Sequence, residues 1–433
     1  MVRAFALGKQ SGARSTSGTR NGGHQLLLLQ GGDELFPALV EAMDAARSLV
    51  HLETYIFQFA GSALSVAQAL ERAAQRGVQV RLVVDGIGTP KVPLEWQQRF
   101  SRAGVHWRTF APLGTLSLLI PSRWRRLHRK LCVVDGTIGF CGGINIIDDL
   151  DDVALGRLSE PRLDFSLRVS GPLVRNMVAA METLWRRLQV VRKASQGELK
   201  ATWKALRKTH PVGDFSRILQ KFEARVGLGP AHTAQQLPQG VDDAHAVLLL
   251  RDNLSNRHDI ERAYLRSIAT ARRDIVIANG YFIPGRKMRR ALMLAARRGV
   301  RVRLLLHGKY EHFLQYRAAR PVFQWLVDAG VEIYEYAPSA LHAKVAVIDQ
   351  RWATVGSTNL DPVSLLLARE ADVMTSDRRF CALLHHRLDG LVLHAGQRLD
   401  ASALSLRPWH QRMLDRIAFG LMRASLFVTG HRY

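Results

Sequence analysis

The stretch HRKLCVVDGTIGFCGGIN, residues 128–145, occurs a second time as HAKVAVIDQRWATVGSTN at residues 342–359. Both copies begin with His-x-Lys, reach Asp five residues after the lysine, Gly seven residues later and Asn three residues after that. The matched positions are mostly polar, whereas a packing constraint would preserve apolar positions. The repeat therefore predicts a duplicated polar site whose two imidazoles, two ammonium groups and two amides suit one phosphodiester.

The duplication extends beyond this motif. AAQRGVQVRLVVDG at residues 73–86 returns as AARRGVRVRLLLHG at 295–308, and the AGV segment that starts at 103 returns at 329. A repeat of this length exceeds the roughly 20–50 residues of a solenoid unit. The chain is therefore interpreted as two copies of one α/β unit. A duplicated fold with one inactive half is disfavoured, because both copies retain the full polar set.

Strand-like and helix-like segments alternate along both halves. Gly77 follows a segment with helical apolar spacing, where a glycine favours a helix C-terminus. Such alternation predicts an α/β sandwich in each half, with the two sheets facing each other across a pseudo-dyad and one shared active site. The expected strands are 25–29, 49–57, 78–84, 105–109, 131–134 and 165–169, then 246–250, 274–278, 300–306, 331–336 and 344–348. The expected helices of the first half are 33–46, 63–76 and 94–103.

Changes in composition divide the chain into five parts. Residues 1–23 are basic and rich in Ser and Gly, which predicts a flexible arm without the apolar core of a signal peptide. The first half is placed at 24–190, an inter-half linker with one or two short helices at 191–243, and the second half at 244–398. A basic amphipathic tail follows at 399–433. With no unbroken apolar run of about 18–20 residues, any membrane contact is expected to be peripheral.

Composition favours an anionic partner. The chain has 433 residues, 61 Lys and Arg against 37 Asp and Glu, and a formal net charge of +24. This balance suits nucleic acid, acidic phospholipid or phosphorylated metabolites, and charge alone does not choose among them. Three cysteines without metal-ligand spacing argue against a zinc site and a disulfide framework, and they fit a reducing compartment. No metal or other cofactor is expected.

The residue types predict a two-step displacement at phosphorus. A neutral imidazole can attack the phosphodiester and form a phosphohistidine, while a second imidazole serves as acid and then as base. His128 and His342 are these two groups; either can be the nucleophile, with a slight preference for His128. The groups predicted to bind the non-bridging oxygens are Lys130, Lys344, Asn145, Asn359 and the hydroxyl of Ser357.

Four carboxylates accompany the histidines. Asp164 and Glu370 follow the two motifs, each at the start of a strand-like run, and are predicted to orient the imidazoles, within or across the halves. The alternative for both is a surface ion pair. Asp135 and Asp349 are part of the catalytic motif, yet each sits at the end of a strand. A turn or ion-pair role is favoured for them over proton transfer.

The doubled HxKxxxxDxxxxxxGxxN pattern resembles the phospholipase D superfamily. LETYIF at 52–57, RLDFSLRV from 162, IANGYFIPG at 277–285 and RWATVGSTNLDPVSL from 351 resemble one branch, the bacterial cardiolipin synthases, and within it the B type. The resemblance implies transfer of a phosphatidyl group between two phosphatidylglycerol molecules, with release of glycerol. It implies peripheral association with the cytoplasmic face of a bacterial inner membrane.

The resemblance also implies roles for individual residues. Glu53, Asn279 and Tyr281 would line or support the site, although Glu53 could equally lie on the solvated face of its strand. The chain departs from the family at Ala368, where an asparagine is expected. Donor choice between phosphatidylglycerol and phosphatidylethanolamine is left open, as are the oligomeric state and the acceptor, an alcohol or water.

Two apolar segments edged with arginine support a lipid substrate. The stretch 113–126 places leucines, an isoleucine and a tryptophan beside three arginines, immediately before His128. In the tail, apolar residues at 409, 413, 417, 421, 424 and 428 fall near one helical face. Core packing is the equal alternative for both segments. The rival functions are a lipid hydrolase, a nuclease of the same superfamily and, least favoured, a non-catalytic membrane-binding protein. Few aromatic residues are interleaved for base stacking, so nucleic acid is not the expected partner.

Overall fold

A computed structural model of the chain describes residues 23–112, 125–153, 155–195, 240–252, 256, 258–308, 313–361, 368–400 and 407–428. The predicted arm, the apolar part of 113–126 and residues 196–239 of the predicted linker, with its short helices, lie outside the described residues. Two mixed sheets form most of the described part of the chain, with helices on their outer faces and two further helices against the core between them.

The first sheet is built almost entirely from the first half. Its strand order is β11-β1-β10-β7-β6-β2-β3-β4, and β2, β3 and β4 are parallel to one another. The elements are β1 (His24–Gln30), α1 (Gly31–Asp44), β2 (Leu49–Thr54), a 3₁₀ turn (Gly61–Ala63), α2 (Leu64–Gln75), β3 (Gln79–Asp85), α3 (Leu94–Ala103), β4 (His106–Phe110), β5 (Arg126–Leu127), β6 (Lys130–Val134), β7 (Ile138–Gly142), β8 (Asp151–Asp152), β9 (Gly156–Arg157), β10 (Phe165–Ser170), α4 (Leu173–Ser195) and β11 (Gly240–Ala244).

The second sheet repeats this order in the second half as β12-β18-β17-β16-β13-β14-β15-β19. The elements are β12 (Ala246–Arg251), α5 (Asp259–Thr270), β13 (Asp274–Asn279), α6 (Arg286–Arg297), β14 (Arg301–His307), α7 (Phe313–Asp328), β15 (Glu332–Tyr336), β16 (Lys344–Ile348), β17 (Trp352–Gly356), β18 (Ala368–Thr375), α8 (Arg378–Ala395), β19 (Gly396–Arg398) and α9 (Trp409–Val428). The predicted pair of α/β sandwich halves is confirmed.

The predicted elements agree closely with the observed ones. Each predicted strand overlaps an observed strand, with ends displaced by up to three residues. Gly77 has a φ of +87° just after α2, and Gly299, its counterpart after α6, has a φ of +86°. This left-handed conformation carries no Cβ penalty in glycine, which explains the repeated Arg-Gly-Val at both helix ends. The prediction did not include β7 and β17, which pair with the two motif strands, whereas β18 corresponds to the strand-like run expected at Glu370.

Among the described residues, three large apolar cores and one small cluster hold the layers together. The central core lies between the sheets and takes side chains from both halves, together with α4 and α8. One outer core joins the first sheet to α1, α2 and α3, and the other joins the second sheet to α5, α6, α7 and part of α9. Burial on both faces explains why β6 and β16 are apolar beyond their lysines rather than alternating.

The two halves also exchange backbone hydrogen bonds. β5, which leads to the first motif, pairs in parallel with β18 of the second half. Correspondingly, Leu163 of the first half forms a parallel bridge with Leu341, just before the second motif. In addition, residues 240–244, at the boundary between the predicted linker and second half, form β11 at the edge of the first sheet. These exchanges fix the two motifs opposite each other.

α9, the last described helix, packs along α7. The apolar tail residues that the sequence places on one helical face include Trp409, Met413, Ile417 and Leu421, and all four are exposed. A different face, with Ala418 and Phe419, enters the outer core of the second half. Over the described part of the chain, no helix has the length and apolar character needed to cross a bilayer.

Candidate active site

The two motif histidines meet at one end of the facing sheets. His128 precedes β6, His342 precedes β16, and their ring centroids are 6.5 Å apart with the ring planes at 60°. Each backbone N–H is held by the opposite half: His128 donates to the Arg369 carbonyl at 3.1 Å, and His342 donates to the Leu163 carbonyl at 2.9 Å. Backbone pairing between halves therefore positions both imidazoles in one site.

Each histidine is oriented by a carboxylate from the other half. The Nδ1 of His128 lies 3.0 and 3.1 Å from the two oxygens of Glu370, and the Nδ1 of His342 lies 2.6 Å from Oδ2 of Asp164. A carboxylate at this distance favours the tautomer with hydrogen on Nδ1, which leaves the Nε2 lone pair available for chemistry. Both carboxylates are buried, so the structure places them as orienting groups across the halves and not as surface ion pairs.

Burial keeps the imidazoles neutral in the substrate-free site. It lowers the pKa of His128, an effect that Glu370 opposes and Lys130 reinforces. Burial also lowers the pKa of His342 well below the usual value, with further lowering by Lys344 and Lys130. Burial raises the pKa of Asp164 to about 7. A neutral imidazole with an ordered Nδ1–H is the form that can act as a nucleophile.

The two lysines lie beside the histidines and are themselves buried. Lys130 donates from Nζ to the His128 carbonyl at 2.6 Å, and Lys344 donates to the His342 carbonyl and lies 4.0 Å from Asp164. Burial and the charge of Lys344 lower the pKa of Lys130 to about 7; burial lowers the pKa of Lys344 to about 8, although Asp164 opposes this. An anion bound between them would favour the protonated form of both lysines.

Asp135 and Asp349 lie at the other end of the motif strands. Asp135 accepts hydrogen bonds from the backbone N–H groups of residues 47, 48 and 49 and from the hydroxyl of Ser48, at 2.8–2.9 Å. Asp349 accepts from the backbone N–H groups of residues 272, 273 and 274 at the same distances. A strand separates each from its histidine, which amounts to about 20 Å along the chain. Their contacts assign both carboxylates to the turns.

The two motif asparagines are buried next to the site. Asn145 accepts the N–H of Ile56 at its Oδ1, 3.1 Å away, and this bond fixes which end of the amide carries the N–H groups that could donate to a phosphate. On the other side, Asn279 donates to the Thr358 carbonyl at 3.3 Å and accepts the Leu360 N–H at 3.2 Å. Asn279 therefore supports the loop that carries Asn359. Binding of a phosphate oxygen by Asn359 stays a prediction.

Ser357, which was predicted to bind the phosphodiester, contacts one of the two orienting carboxylates. Its side chain is fully buried, its hydroxyl donates to Oε2 of Glu370 at 2.5 Å, and the oxygen accepts the N–H of Ala371 at 3.0 Å. A hydroxyl has a single proton to donate. In this structure Ser357 holds Glu370, which in turn contacts His128, and its contact with the phosphodiester stays a prediction.

Glu53 lies beneath the first motif rather than on a solvated face. It is fully buried and accepts a hydrogen bond from Nε of Arg129 at 2.6 Å, while Arg129 also donates to the Ala180 carbonyl at 3.3 Å. Arg129 stands between His128 and Lys130 and was not among the predicted site residues. The available signal was Glu53 itself: a carboxylate inside a buried strand needs a buried partner, and Arg129 is that partner.

Aromatic rings flank both histidines. The Tyr55 ring lies 5.1 Å from His128, and the Tyr281 ring lies 6.4 Å from His342, measured between centroids. Lys130 also lies over the Tyr55 ring, 5.5 Å from its centroid. Tyr281 was expected here from the resemblance, and Tyr55 was missed although it follows Glu53 in the LETYIF segment.

Comparison with known proteins decides the family. A family model described as "Cardiolipin synthase, PLD-like domain" matches residues 39–149 and 264–392, which include the His-x-Lys motifs of both halves. Cardiolipin synthase B of Salmonella typhi is 34% identical over 402 residues, covering 93% of this chain and 88% of that protein. Cardiolipin synthase B of Escherichia coli (strain K12) is 33% identical over the same length.

The chain belongs to the phospholipase D-like cardiolipin synthase family.

The fold of this cardiolipin synthase family member is shared by a more distant solved structure. Phosphatidylserine synthase of Haemophilus influenzae Rd KW20 superimposes with a TM-score of 0.62 over 93% of this chain and 94% of the other, at 13% identity. The predicted membership in the superfamily is confirmed, and the chain is an enzyme of a phosphatidyltransferase family.

Within the described residues of this family member, no group of three or more His, Cys, Asp or Glu side chains could hold a metal ion. The polar side chains at the site are instead paired as two histidine–carboxylate couples and two lysines.

Proposed function

We propose that this enzyme transfers the phosphatidyl group of one phosphatidylglycerol to a second, which gives cardiolipin and glycerol. The observation that carries the proposal is the pair of imidazoles 6.5 Å apart, each oriented by a buried carboxylate of the other half. Two equivalent imidazoles on opposite sides of one phosphorus can act as nucleophile and as proton donor. Membership in the cardiolipin synthase family supports the choice of lipid.

The first step forms a phosphatidyl-histidine. The Nε2 lone pair of His128 attacks the phosphorus, the bond from phosphorus to the headgroup glycerol oxygen breaks, and the glycerol alkoxide takes a proton from Nε2 of His342. The assignment of His128 as nucleophile follows the preference from the sequence. His342 takes up this Nε2 proton from solvent when substrate binds, because the phosphodiester anion and Asp164 both stabilise the protonated imidazole.

The second step transfers the phosphatidyl group to the acceptor. Nε2 of His342 takes the proton of the headgroup hydroxyl of a second phosphatidylglycerol, the hydroxyl oxygen attacks phosphorus, and the nitrogen–phosphorus bond breaks. His128 returns to its neutral form. If water replaced the alcohol, the same site would release phosphatidic acid, and acceptor choice therefore depends on excluding water.

The lysines supply most of the electrostatic stabilisation in this proposal. In the free enzyme, burial lowers the pKa of Lys130 to about 7 and that of Lys344 to about 8. A phosphodiester between them favours the ammonium form of both, so cationic charge is strengthened when substrate arrives. Charge that develops on the non-bridging oxygens in the transition state is then stabilised by preorganised donors in a buried site.

The predicted partner is an anionic phospholipid in a membrane. We place the enzyme at the cytoplasmic face of a bacterial inner membrane, bound peripherally, because its substrate is a bilayer lipid and its net charge of +24 favours anionic surfaces. A nuclease reading uses the same phosphodiester chemistry and is an alternative outcome of the test below.

The test is incubation of the purified protein with vesicles of phosphatidylglycerol whose headgroup glycerol is deuterated, followed by mass spectrometry. Cardiolipin with one deuterated bridging glycerol, together with one free deuterated glycerol, is the expected result. Phosphatidic acid without cardiolipin would indicate a hydrolase. Addition of phosphatidylethanolamine tests the other donor through release of ethanolamine.

The control variants separate the site from the rest of the protein. His342→Ala should lose cardiolipin formation, whereas His258→Ala, whose side chain is 62% exposed and lies in the first turn region of α5, should retain it. If no lipid is turned over while single-stranded DNA is cleaved, the proposed function is wrong and the nuclease assignment takes its place.

A further inference from the structure

α9 is attached to the second half through one face, which carries a buried aspartate and two buried apolar residues. Asp415, Ala418 and Phe419 are 3%, 5% and 7% exposed. The Asp415 carboxylate pairs with Arg317 of α7 at 3.1 Å and with Arg407 at 2.9 Å, and the Phe419 ring contacts Trp325 of α7. This face accounts for the docking of α9 on the second half.

The opposite face of α9 is apolar and open to solvent. Its exposed fractions are 74% for Trp409, 48% for Met413, 47% for Leu414, 49% for Ile417 and 59% for Leu421. At about 100° per residue these five side chains span an arc of about 140°. The exposed His410 also falls inside this arc. An apolar stripe of this width, interrupted by one histidine, indicates a binding surface rather than scattered exposure.

The charges beside this stripe are positive. Arg412 and Arg416 are exposed and fall at one border of the apolar arc. The only acidic residue between 409 and 428 is Asp415, which is buried and paired with two arginines. An apolar stripe bordered by arginine and free of exposed carboxylates has the pattern of helices that lie in an anionic lipid interface.

We propose that this outward face of α9 binds the surface of an anionic phospholipid bilayer. Trp409, Met413, Leu414, Ile417 and Leu421 enter the boundary between headgroups and acyl chains, and Arg412 and Arg416 contact lipid phosphates. The inference rests on the proposed function only in that a bilayer lipid is the substrate. A second copy of the chain on the same face is the competing occupant.

The direction of α9 relates this surface to the active site. Arg317 pairs with Asp415 and Trp325 contacts Phe419, so α9 runs in the same direction as α7. α7 follows β14, which is parallel to β13, and β13 ends at Asn279 beside the site. The Trp409 end of α9 therefore lies toward the end of the sheet that carries the two histidines.

The first experiment is flotation of the full-length protein with vesicles of phosphatidylglycerol and phosphatidylcholine. The variant Trp409→Ser/Ile417→Ser/Leu421→Ser should partition roughly 100-fold less than the parent, because three large apolar side chains lose their burial. Leu393→Ser is the matched control: Leu393 is a 73% exposed leucine on α8, outside this face. Equal partitioning of parent and triple variant would overturn the proposal.

The second experiment reports directly on insertion. The three native cysteines are buried, so Met413→Cys and, as control, Leu393→Cys can each be labelled selectively with an environment-sensitive fluorophore. On addition of phosphatidylglycerol vesicles, the label at 413 should shift to shorter wavelength while the label at 393 should not. A label at 413 that stays water-exposed with vesicles, or that is shielded only by self-association of the protein, would rule out the bilayer as occupant.

Turnover distinguishes this inference from the proposed function. The triple variant should lose activity on vesicles and keep it on a short-chain phosphatidylglycerol below its micelle concentration. Vesicle binding through α9 without turnover of any lipid would refute the proposed function and leave the bilayer surface in place. If the triple variant bound vesicles as the parent does and the parent formed cardiolipin, the α9 surface would be refuted and the proposed function would stand.

Discussion

The two halves of the molecule hold equivalent histidines with different supporting residues. In the first half, the Asp85 carboxylate accepts the N–H of Leu127, the residue before His128, at 2.7 Å. In the second half, Nδ1 of His307 accepts the N–H of Leu341, the residue before His342, at 3.0 Å. Asp85 and His307 are matched positions of the repeated sequence, so one contact is made by two different acceptors.

A second difference lies beneath the motif strands. Glu53 is opposite Leu131 in the sheet and pairs with Arg129, whereas the equivalent positions of the second half hold Ala278, opposite Val345, and Ala343. A buried ion pair in one half is thus replaced by two alanines in the other. Both arrangements present a histidine and a lysine, which indicates that the pair belongs to the support of His128 and not to the shared chemistry.

A third difference lies behind the orienting carboxylates. Ser357 donates to Glu370, but its counterpart Gly143 has no side chain, and a Cβ there would lie 2.3 Å from Oδ1 of Asp164. The shorter acid occupies the space that a serine would need. Together the three differences teach that the catalytic groups are kept in both halves while each half has its own way of fixing them.

The largest expected effect tests whether the two halves are both required. Replacing His128 or His342 by Ala should each reduce turnover by about 10⁴-fold or more, since loss of a nucleophile or of its acid–base partner removes the chemical step. Only the loss of the nucleophile should abolish covalent labelling by a phosphodiester substrate, detected by mass spectrometry of the quenched protein. Activity of either variant equal to the parent would end the two-histidine mechanism.

The next effect tests the exchange of carboxylates between halves. Asp164→Asn and Glu370→Gln should each lower kcat by about 10²- to 10⁴-fold, because an amide can donate to Nδ1 and favour the wrong tautomer, and it carries no charge to stabilise the imidazolium. If His128 is the nucleophile, Glu370→Gln should slow formation of the covalent intermediate. A comparable loss in each variant, with unchanged folding by circular dichroism, is expected. Normal kcat in both would show that the carboxylates are not needed for orientation.

A stability measurement addresses the buried ion pair. Glu53→Ala leaves the Arg129 guanidinium buried without its carboxylate and should lower the free energy of unfolding by about 3–5 kcal/mol. The double variant Glu53→Ala/Arg129→Ala copies Ala278 and Ala343 and should lose less than the single variant. Urea unfolding of the three proteins measures this. A double variant less stable than Glu53→Ala would mean that Arg129 contributes independently of Glu53.

The smallest expected effect is a pH dependence that differs between the two lysines. A lysine binds the phosphodiester in its protonated form, so affinity is full below its pKa and falls by up to about tenfold per pH unit above it. With the pKa of Lys130 at about 7 and that of Lys344 at about 8 in the free enzyme, kcat/KM on short-chain phosphatidylglycerol should fall above pH 7. Because bound anion favours protonated lysine, kcat should fall only at higher pH.

Conservative substitutions show which of the two lysines causes the decrease of kcat/KM above pH 7. Lys130→Arg keeps its charge at all these pH values and should move the fall in kcat/KM upward, to the pKa of Lys344. Lys344→Arg should leave the fall near pH 7. The comparison is kcat/KM measured from pH 6 to 9 for the parent and both variants. Identical pH profiles in the two variants would show that neither lysine controls the decrease at high pH.

The sequence by itself determined the duplication, the two-sheet fold and the pairing of two histidines in one site. Repeated polar residues at fixed spacing are visible without structure, and apolar strands alternating with amphipathic helices specify α/β layers through their periodicity. Asp135 and Asp349 were also interpretable, because a carboxylate at the end of a strand commonly serves the following turn. Residue spacing carries this information because it is local.

Only the tertiary structure decided how the site is supported. Glu370 lies 242 residues after His128, and Asp164 lies 178 residues before His342, so sequence spacing could not show which carboxylate meets which histidine. The same holds for Ser357, whose hydroxyl donates to Glu370, and for Arg129, whose partner Glu53 lies on β2. These contacts are fixed by the packing of two sheets against each other, where buried polar groups must find partners from whichever strand is nearest.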